Sequence, residues 1–154
     1  MADANLTHLF SYEVGLKMPP EVIGEVPEGI RANFYLTGGL IRGPRLQGRV
    51  DAVGADWLLL RRDGVGMVDV RTTMVTDDGA LIYAAYQGVL DAGENGYRAF
   101  LEGRLPPTMP IRTAPRFQTA APAYAWLNRL QCLGIGSVDM AASKVSYDVF
   151  AAPA

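Results

Sequence analysis

Residues 66 to 83 read GMVDVRTTMVTDDGALIY, two strand-like runs separated by Asp78-Gly79. An Asp-Gly pair between such runs is one of the strongest short-range signals for a β-hairpin. Asp69, Arg71 and Thr73 stand two positions apart, so in a strand their side chains point the same way. The stretch therefore predicts a hairpin that carries an acid, a guanidinium and a hydroxyl on one face.

Similar short runs fill the rest of the chain. DWLLLRR (56–62) ends at a second Asp-Gly pair, and further strand-like runs cover 6–16, 30–38, 45–53 and 80–90. YRAFLEGR (97–104) is the one stretch typical of a short helix, and a proline-rich segment follows it. Many short strands joined by Gly and Pro turns favour a sandwich or barrel. We predict a single all-β domain over residues 1–154, with an ordered core at about 6–151.

Composition excludes several classes of function. The net charge of −2 provides no basic footprint for nucleic acid. No apolar run reaches the roughly 20 residues needed to cross a bilayer, and the N-terminus does not resemble a signal peptide, so we expect a cytoplasmic protein without membrane contact. The sequence contains one histidine, His8, and one cysteine, Cys132, which are too few for a Cys/His zinc cluster or an internal disulfide. We expect neither a metal nor a cofactor.

Several motifs resemble those of one known family. They are LFSYEV, TGG with GPRLQG, GADW, RRDG, DVRTT, TDDGALIY, YAWLN and YDVF, which occur in this order between about residues 6 and 150. The family is bacterial and fungal and is catalogued as a domain of unknown function (three-two-three-seven). The resemblance implies a closed antiparallel barrel of calycin type, similar in shape to lipocalins and often assembled into oligomers. It implies no particular reaction.

The two Asp-Gly pairs allow the strand register to be predicted. If both are two-residue turns, Arg71 lies opposite Tyr86 on one side and opposite Asp56 on the other. Side chains that face each other in this way approach closely enough for an Arg to hydrogen-bond to two acids. A three-residue loop would instead move Asp56 to the other face, because the faces of a strand alternate strictly. The two-residue registers place Asp56, Arg71 and Tyr86 in one row, flanked by Asp69 and Thr73.

Such a row within apolar walls is typical of a small-molecule pocket. We assign Asp69 as general base, Arg71 as orienting group and oxyanion stabiliser, and Asp56 as general acid. The predicted substrate-binding residues are Tyr86, Thr73, Trp126 and Asn128. The expected activity is a cofactor-independent isomerase, cyclase, lyase or water-adding reaction on an apolar, aromatic or polyketide-like molecule.

Two other interpretations fit the same residues. A calycin-like barrel could act as a non-catalytic carrier or sensor of a small hydrophobic ligand, with Arg71 holding a carboxylate or phenolate. A buried cluster of acids and arginine could also serve only to fix the register of the barrel. In each case both faces of the central strands are apolar, which predicts a homo-oligomer, most simply a dimer.

Overall fold

The computed structural model describes residues 1–2 and 4–153, and these form eleven strands, one α-helix and one 3-10 helix. The strands are β1 (Thr7–Leu16), β2 (Glu21–Val26), β3 (Gly29–Arg42), β4 (Gly48–Val50), β5 (Ala55–Leu60), β6 (Val65–Thr76), β7 (Leu81–Asp91), β8 (Thr108–Thr113), β9 (Arg116–Gln118), β10 (Cys132–Asp139) and β11 (Lys144–Ala151). The helix α1 spans Gly96–Leu101, which overlaps the segment predicted to be helical, 97–104, and the 3-10 helix spans Pro122–Arg129. No helix in the described residues is long and apolar enough to span a membrane.

Eight of the strands close into an antiparallel barrel. Their order is β6-β5-β3-β1-β11-β10-β8-β7, and β7 pairs back onto β6 to complete the ring. The short strands β2, β4 and β9 add to its rims. The prediction of an all-β, closed antiparallel barrel with one short helix is confirmed. Closure satisfies the backbone groups that an open sheet would leave at its edges.

The barrel is packed at one end and hollow at the other. Phe10, Phe117 and Leu127 fill the packed end, and none of them is more than 1% exposed. The rings of Phe10 and Phe117 meet edge to face at 5.4 Å. Beyond them, toward the ends of β1 and β7, the side chains leave a cavity inside the barrel. The packed end therefore forms the floor of that cavity.

The two Asp-Gly hairpins differ from the predicted register by one residue. The backbone amide of Arg61 donates to the carbonyl of Val65, and that of Thr76 donates to the carbonyl of Ala80. Each loop therefore has three residues, 62–64 and 77–79. The last residue of each loop is a glycine with positive φ, +86° in one and +89° in the other, which is the usual geometry of a three-residue hairpin. The prediction of two-residue turns is wrong because an Asp-Gly pair is compatible with both loop lengths.

Because the loops are longer than predicted, part of the predicted row of residues faces outward. Arg71 pairs with Ala55 and Ala85 instead of Asp56 and Tyr86. Its neighbours Val70 and Thr72 point into the core, so Arg71 points outward and is exposed. Two displacements of one residue cancel across the two hairpins. Asp56 of β5 therefore lies opposite Val70 of β6, and Val70 lies opposite Tyr86 of β7. Asp56 and Tyr86 both stay on the inner face of the barrel.

Candidate active site

The interior cavity is almost entirely apolar. Its volume is about 40 Å³, and its walls come from all eight strands of the barrel together with α1 and the segment after it. Asp56, Tyr86 and Tyr147 supply the polar atoms among the described lining residues. A few convergent polar groups in an apolar cavity are the usual composition of a small-molecule site. These three residues therefore define the candidate site.

Asp56 is held in place by a backbone amide. It lies in a row with Phe34, Val70 and Tyr86 across four strands, and all four residues line the cavity. One carboxylate oxygen, Oδ1, accepts a hydrogen bond of 3.0 Å from the backbone N–H of Asp69. Burial raises the pKa of Asp56 from 3.8 to about 7, despite this hydrogen bond, and the charge of Asp69 adds to the increase. Near neutral pH the carboxyl can therefore either accept or release a proton.

Three tyrosines form a cluster beside this carboxyl. Tyr12, Tyr86 and Tyr147 are 3–4% exposed. The rings of Tyr12 and Tyr147 stack at 4.9 Å, and Tyr147 meets Tyr86 edge to face at 5.6 Å. The hydroxyl of Tyr86 is hydrogen-bonded to both other hydroxyls. The cluster is thus a small buried network centred on Tyr86.

The tyrosines stay neutral under physiological conditions. Burial raises the pKa of Tyr86 to about 12, and it is also the main cause that raises the pKa values of Tyr12 and Tyr147 well above their usual range. The charge of Asp56 raises the pKa of both Tyr86 and Tyr147, which shows that the carboxyl and these hydroxyls interact. The hydrogen bonds within the cluster lower the pKa of Tyr86 and raise those of Tyr12 and Tyr147.

The strand pairing of β1 and β11 brings Tyr12 and Tyr147 together. The tetrapeptides SYEV (11–14) and SYDV (146–149) lie antiparallel, with Tyr12 directly opposite Tyr147. On the other side of Tyr147 stands Gly136. A Cβ at Gly136 would lie 2.7 Å from Cδ1 of the Tyr147 ring and 2.5 Å from the carbonyl oxygen of Ser146. The absence of a side chain at this position therefore makes room for the Tyr147 ring.

The structure brings together only part of the predicted site. Asp56 and Tyr86 line the cavity as predicted. Asp69, Arg71 and Thr73 lie on the outer face of β6, where Arg71 is exposed and the other two are half-buried. The predicted interior cluster of two acids around Arg71 is therefore wrong, for the reason of register given above.

Trp126 and Asn128 also lie outside the cavity lining. They belong to the 3-10 helix that begins at Pro122 and runs to Arg129. The side-chain amide of Asn128 pairs with the backbone of Thr119, accepting from its N–H at 2.8 Å and donating to its carbonyl at 3.0 Å. The guanidinium of Arg45 lies 3.8 Å from the centre of the Trp126 ring. Both side chains thus have contacts that stabilise the packed end of the barrel.

The single histidine and cysteine lie apart from the site. His8 is exposed and hydrogen-bonds through Nε2 to the hydroxyl of Ser11 at 2.9 Å. Cys132 is buried, and its burial raises the pKa of the thiol to about 11, which leaves it protonated. Among the described residues no group of three or more His, Cys, Asp and Glu side chains is placed to hold a metal ion.

Sequence reasoning missed Tyr12, Tyr147 and Gly136. A signal for the two tyrosines was present, because the near-identical tetrapeptides at 11–14 and 146–149 each carry a tyrosine between polar neighbours. Their pairing depends on contacts between the two ends of the chain, which the sequence does not reveal by itself. Gly136 carried no signal that distinguishes it from a glycine in a turn.

The chain matches a known family over nearly its whole length. Residues 4–152 match the family described as "Protein of unknown function (DUF3237)". The chain belongs to the DUF3237 family. One relative, a UPF0311 protein of Rhodopseudomonas palustris, is 32% identical over 128 residues, which cover 82% of each chain. The family resemblance drawn from the sequence motifs is thereby confirmed.

Solved structures share the barrel over their whole length. A "beta-barrel like protein" of Acinetobacter baumannii is 27% identical, with a TM-score of 0.83, and the match covers 99% of this DUF3237 chain and 98% of the other. An enzyme from Penicillium herquei is 23% identical, with a TM-score of 0.70 and coverage of 99% and 97%. The likeness to the Penicillium protein demonstrates a shared fold.

Proposed function

We propose that this DUF3237 protein is a cofactor-independent enzyme that moves a proton within an apolar, oxygen-bearing substrate. The observation that carries the proposal is the placement of one carboxyl with a pKa of about 7 beside neutral tyrosine hydroxyls in an apolar cavity. An acid or base works best when its pKa lies near the operating pH. The description of a structural neighbour as an enzyme agrees with this class of function.

The carboxyl and the tyrosines have separate roles in this reaction. Ionised Asp56 takes a proton from a carbon next to a carbonyl, and the electrons of that C–H bond move onto the carbonyl oxygen. The hydroxyl of Tyr86 donates a hydrogen bond to the resulting oxyanion, which it can do because its own pKa is high. When the substrate carries a β,γ double bond, protonated Asp56 returns the proton to the γ-carbon, the double bond shifts to the α,β position and the carbonyl re-forms. The net change is an isomerisation, which needs no further reactant.

The network behind Tyr86 supports its role as a donor. Tyr12 does not line the cavity, and its hydroxyl and that of Tyr147 are hydrogen-bonded to Tyr86. In this proposal both hydroxyls donate to the Tyr86 oxygen. Hydrogen bonds that end on the Tyr86 oxygen polarise its O–H group and make it a stronger donor. They also fix the hydroxyl in position before substrate binds, so little reorganisation is needed when charge develops.

Proton exchange in deuterated water tests the proposal without knowledge of the natural substrate. The probe is α-tetralone, an apolar aromatic ketone, and NMR measures the rate at which deuterium replaces hydrogen next to its carbonyl. We expect the protein to accelerate exchange, Asp56→Asn to abolish the acceleration, and Tyr86→Phe to reduce it by about 100-fold or more, as for the loss of an oxyanion donor. Asn at position 56 retains an oxygen that can accept from the Asp69 amide, so this variant preserves the local structure.

Asp51→Asn is the matched control, because the carboxylate of Asp51 pairs with Arg49 at 3.2 Å on the surface. It should exchange α-tetralone at the rate of the unmodified protein. If the protein binds α-tetralone but exchange proceeds as in buffer, the catalytic proposal is wrong and the barrel is better described as a carrier of small hydrophobic molecules.

Assembly and location stay predictions. Trp57, Met67, Tyr83 and Val89 are apolar or aromatic side chains exposed on the outer face of β5, β6 and β7. Their exposure supports the proposed homo-oligomer, most simply a dimer. Sedimentation at micromolar concentration distinguishes a dimer from a monomer. We also retain the cytoplasm as the proposed location.

A further inference from the structure

A groove on the surface adjoins the interior cavity at the hollow end of the barrel. Four residues line both spaces: Phe34 from β3, Phe100 from α1, Leu105 from the segment after α1, and Met140 from the turn after β10. We call these four the neck. On the outer side the groove continues along Met18, Pro19, Pro20 and Val22, and its volume is about 430 Å³.

The two spaces differ in size and polarity. The cavity holds the polar groups of the site, but its 40 Å³ correspond to about three water molecules, since each needs roughly 10–15 Å³ of such volume. The groove is far larger, and Arg104 is the one charged residue among its described lining. Arg104 pairs with Glu102, so its charge is already balanced. The groove therefore provides apolar surface, and the cavity contains the polar groups of the candidate site.

Exposed apolar side chains around the groove need an explanation. Met18 is 40% exposed and Val22 is 52% exposed. A polar side chain would be equally compatible with the fold at either of these solvated positions. Pro19 and Pro20 beside them present rigid apolar surface that loses little entropy when covered. Because the groove is continuous with the cavity through the neck, a single molecule can occupy both.

From this geometry we infer that the substrate is an elongated molecule with an oxygen-bearing head and an apolar tail. The head reaches Asp56 and Tyr86 in the cavity. The tail passes between the four neck side chains and lies in the groove against Met18, Pro19, Pro20 and Val22. This inference rests on the proposed function for the position of the head, and it adds the class of substrate and its direction of entry.

Calorimetric titration with para-alkylphenols tests the inference by binding alone. The probes are para-cresol, para-butylphenol and para-octylphenol, which share a hydroxyl head and differ only in tail length. If the tail lies on apolar surface, affinity should increase about fourfold for each added methylene that leaves water. Val22→Asp should weaken para-octylphenol binding by about tenfold or more and change para-cresol binding by less than about twofold.

Leu101→Asp is the matched control. Leu101 is 51% exposed on α1, next to Phe100, but it lines neither the cavity nor the groove. The control should bind all three phenols like the unmodified protein. Equal affinity for the three phenols, equal weakening of all three by Val22→Asp, or no binding by any of them would overturn the inference.

The proposed function and this inference can fail separately. If affinity depends on the tail but α-tetralone exchange is not catalysed, the elongated ligand stands and the catalytic proposal falls. If exchange is catalysed and abolished by Asp56→Asn, but affinity is independent of the tail, the catalytic proposal stands and the inference about the groove falls.

Discussion

The carboxylate of Asp56 accepts a hydrogen bond of 3.0 Å from the backbone amide of Asp69, although the two side chains lie on opposite faces of the barrel wall. The bond spans β5 and β6 at a point where the ladder between them is interrupted, because no backbone pairing joins the strands between Asp56–Val70 and Leu59–Met67. The side chain of Asp56 thus fills a gap in the sheet while it also faces the cavity. Asp56 therefore contributes both to the contact between the two strands and to the candidate site.

The first prediction concerns the dependence of stability on pH. The folded state raises the pKa of Asp56 from 3.8 to about 7, so between these values the folded protein holds a proton that the unfolded chain releases. Stability should therefore decrease as pH rises through this window, by up to about 4 kcal/mol at 1.36 kcal/mol per pKa unit. Denaturant unfolding at several pH values measures it, and Asp56→Asn should remove this component.

The comparison of Asp56→Asn with the unmodified protein separates the contribution of Asp56 to the pH dependence from that of other titratable groups. Asp63 and Asp78 have lowered pKa values and make stability rise with pH at acidic values, in both proteins alike. The difference in unfolding free energy between Asp56→Asn and the unmodified protein should thus grow from pH 4 to about pH 7 and then stay constant. A difference that is flat across this range would show that the Asp56 carboxyl is not desolvated.

The second prediction concerns the rate. As a general base, Asp56 must be ionised before it can take a proton. The rate of α-tetralone exchange should therefore rise about tenfold per pH unit below the pKa and level off above about pH 7. A rate that falls as pH rises through 7 would instead assign Asp56 the role of a general acid.

The third prediction separates the observed site from the one predicted by sequence. Arg71 is exposed on the outer face, so Arg71→Ala should change the free energy of unfolding by no more than about 0.5 kcal/mol. A buried arginine between two carboxylates would cost about 3–5 kcal/mol when removed. Thermal or chemical denaturation decides between these values. A loss in the larger range would support the interior cluster after all.

The fourth prediction concerns Gly136. A methyl group there would lie 2.5 Å from the carbonyl oxygen of Ser146 and 2.7 Å from the Tyr147 ring. Gly136→Ala should cost about 1–3 kcal/mol through overpacking and should displace the Tyr147 ring. Chemical denaturation measures the first effect. Ser137→Ala, at the exposed neighbouring position, should stay within about 0.5 kcal/mol.

The fifth prediction concerns two buried threonines. Among the described residues, the hydroxyl of Thr113 is the buried side-chain polar atom without a hydrogen-bond partner. The hydroxyl of Thr72, by contrast, donates to the carbonyl of Val53 at 2.8 Å. Thr113→Val should be neutral or stabilise by about 1 kcal/mol, whereas Thr72→Val should destabilise by about 1 kcal/mol or more. If the two variants have the same stability, the hydroxyl of Thr113 has a partner in solution.

The fold was largely predictable because its signals are local. Alternating apolar residues and Asp-Gly pairs fix strands and hairpins over short stretches, and Tyr86 and Asp56 were selected from those stretches. Closure of the barrel followed from the family resemblance carried by the motifs. The helix at Gly96–Leu101 was also marked by its local composition.

The site was less predictable because it depends on single-residue register and on distant pairings. Sequence does not distinguish a two-residue loop from a three-residue loop at Asp-Gly, and this difference moved Asp69 and Arg71 to the outer face. Tyr12 and Tyr147 come from strands at opposite ends of the chain. Trp126 lies in a 3-10 helix outside the cavity lining, and Pro122 is the local signal for that helix.

The two three-residue loops have a consequence for how this barrel can vary. Asp56 and Tyr86 share a face because the lengths of the two loops have the same parity. Loss or gain of one residue in either loop alone would invert one strand relative to its neighbour and separate the carboxyl from the tyrosines. The two residues stay together when both loop lengths are odd or both are even, so the lengths of two exposed turns determine whether a buried site forms.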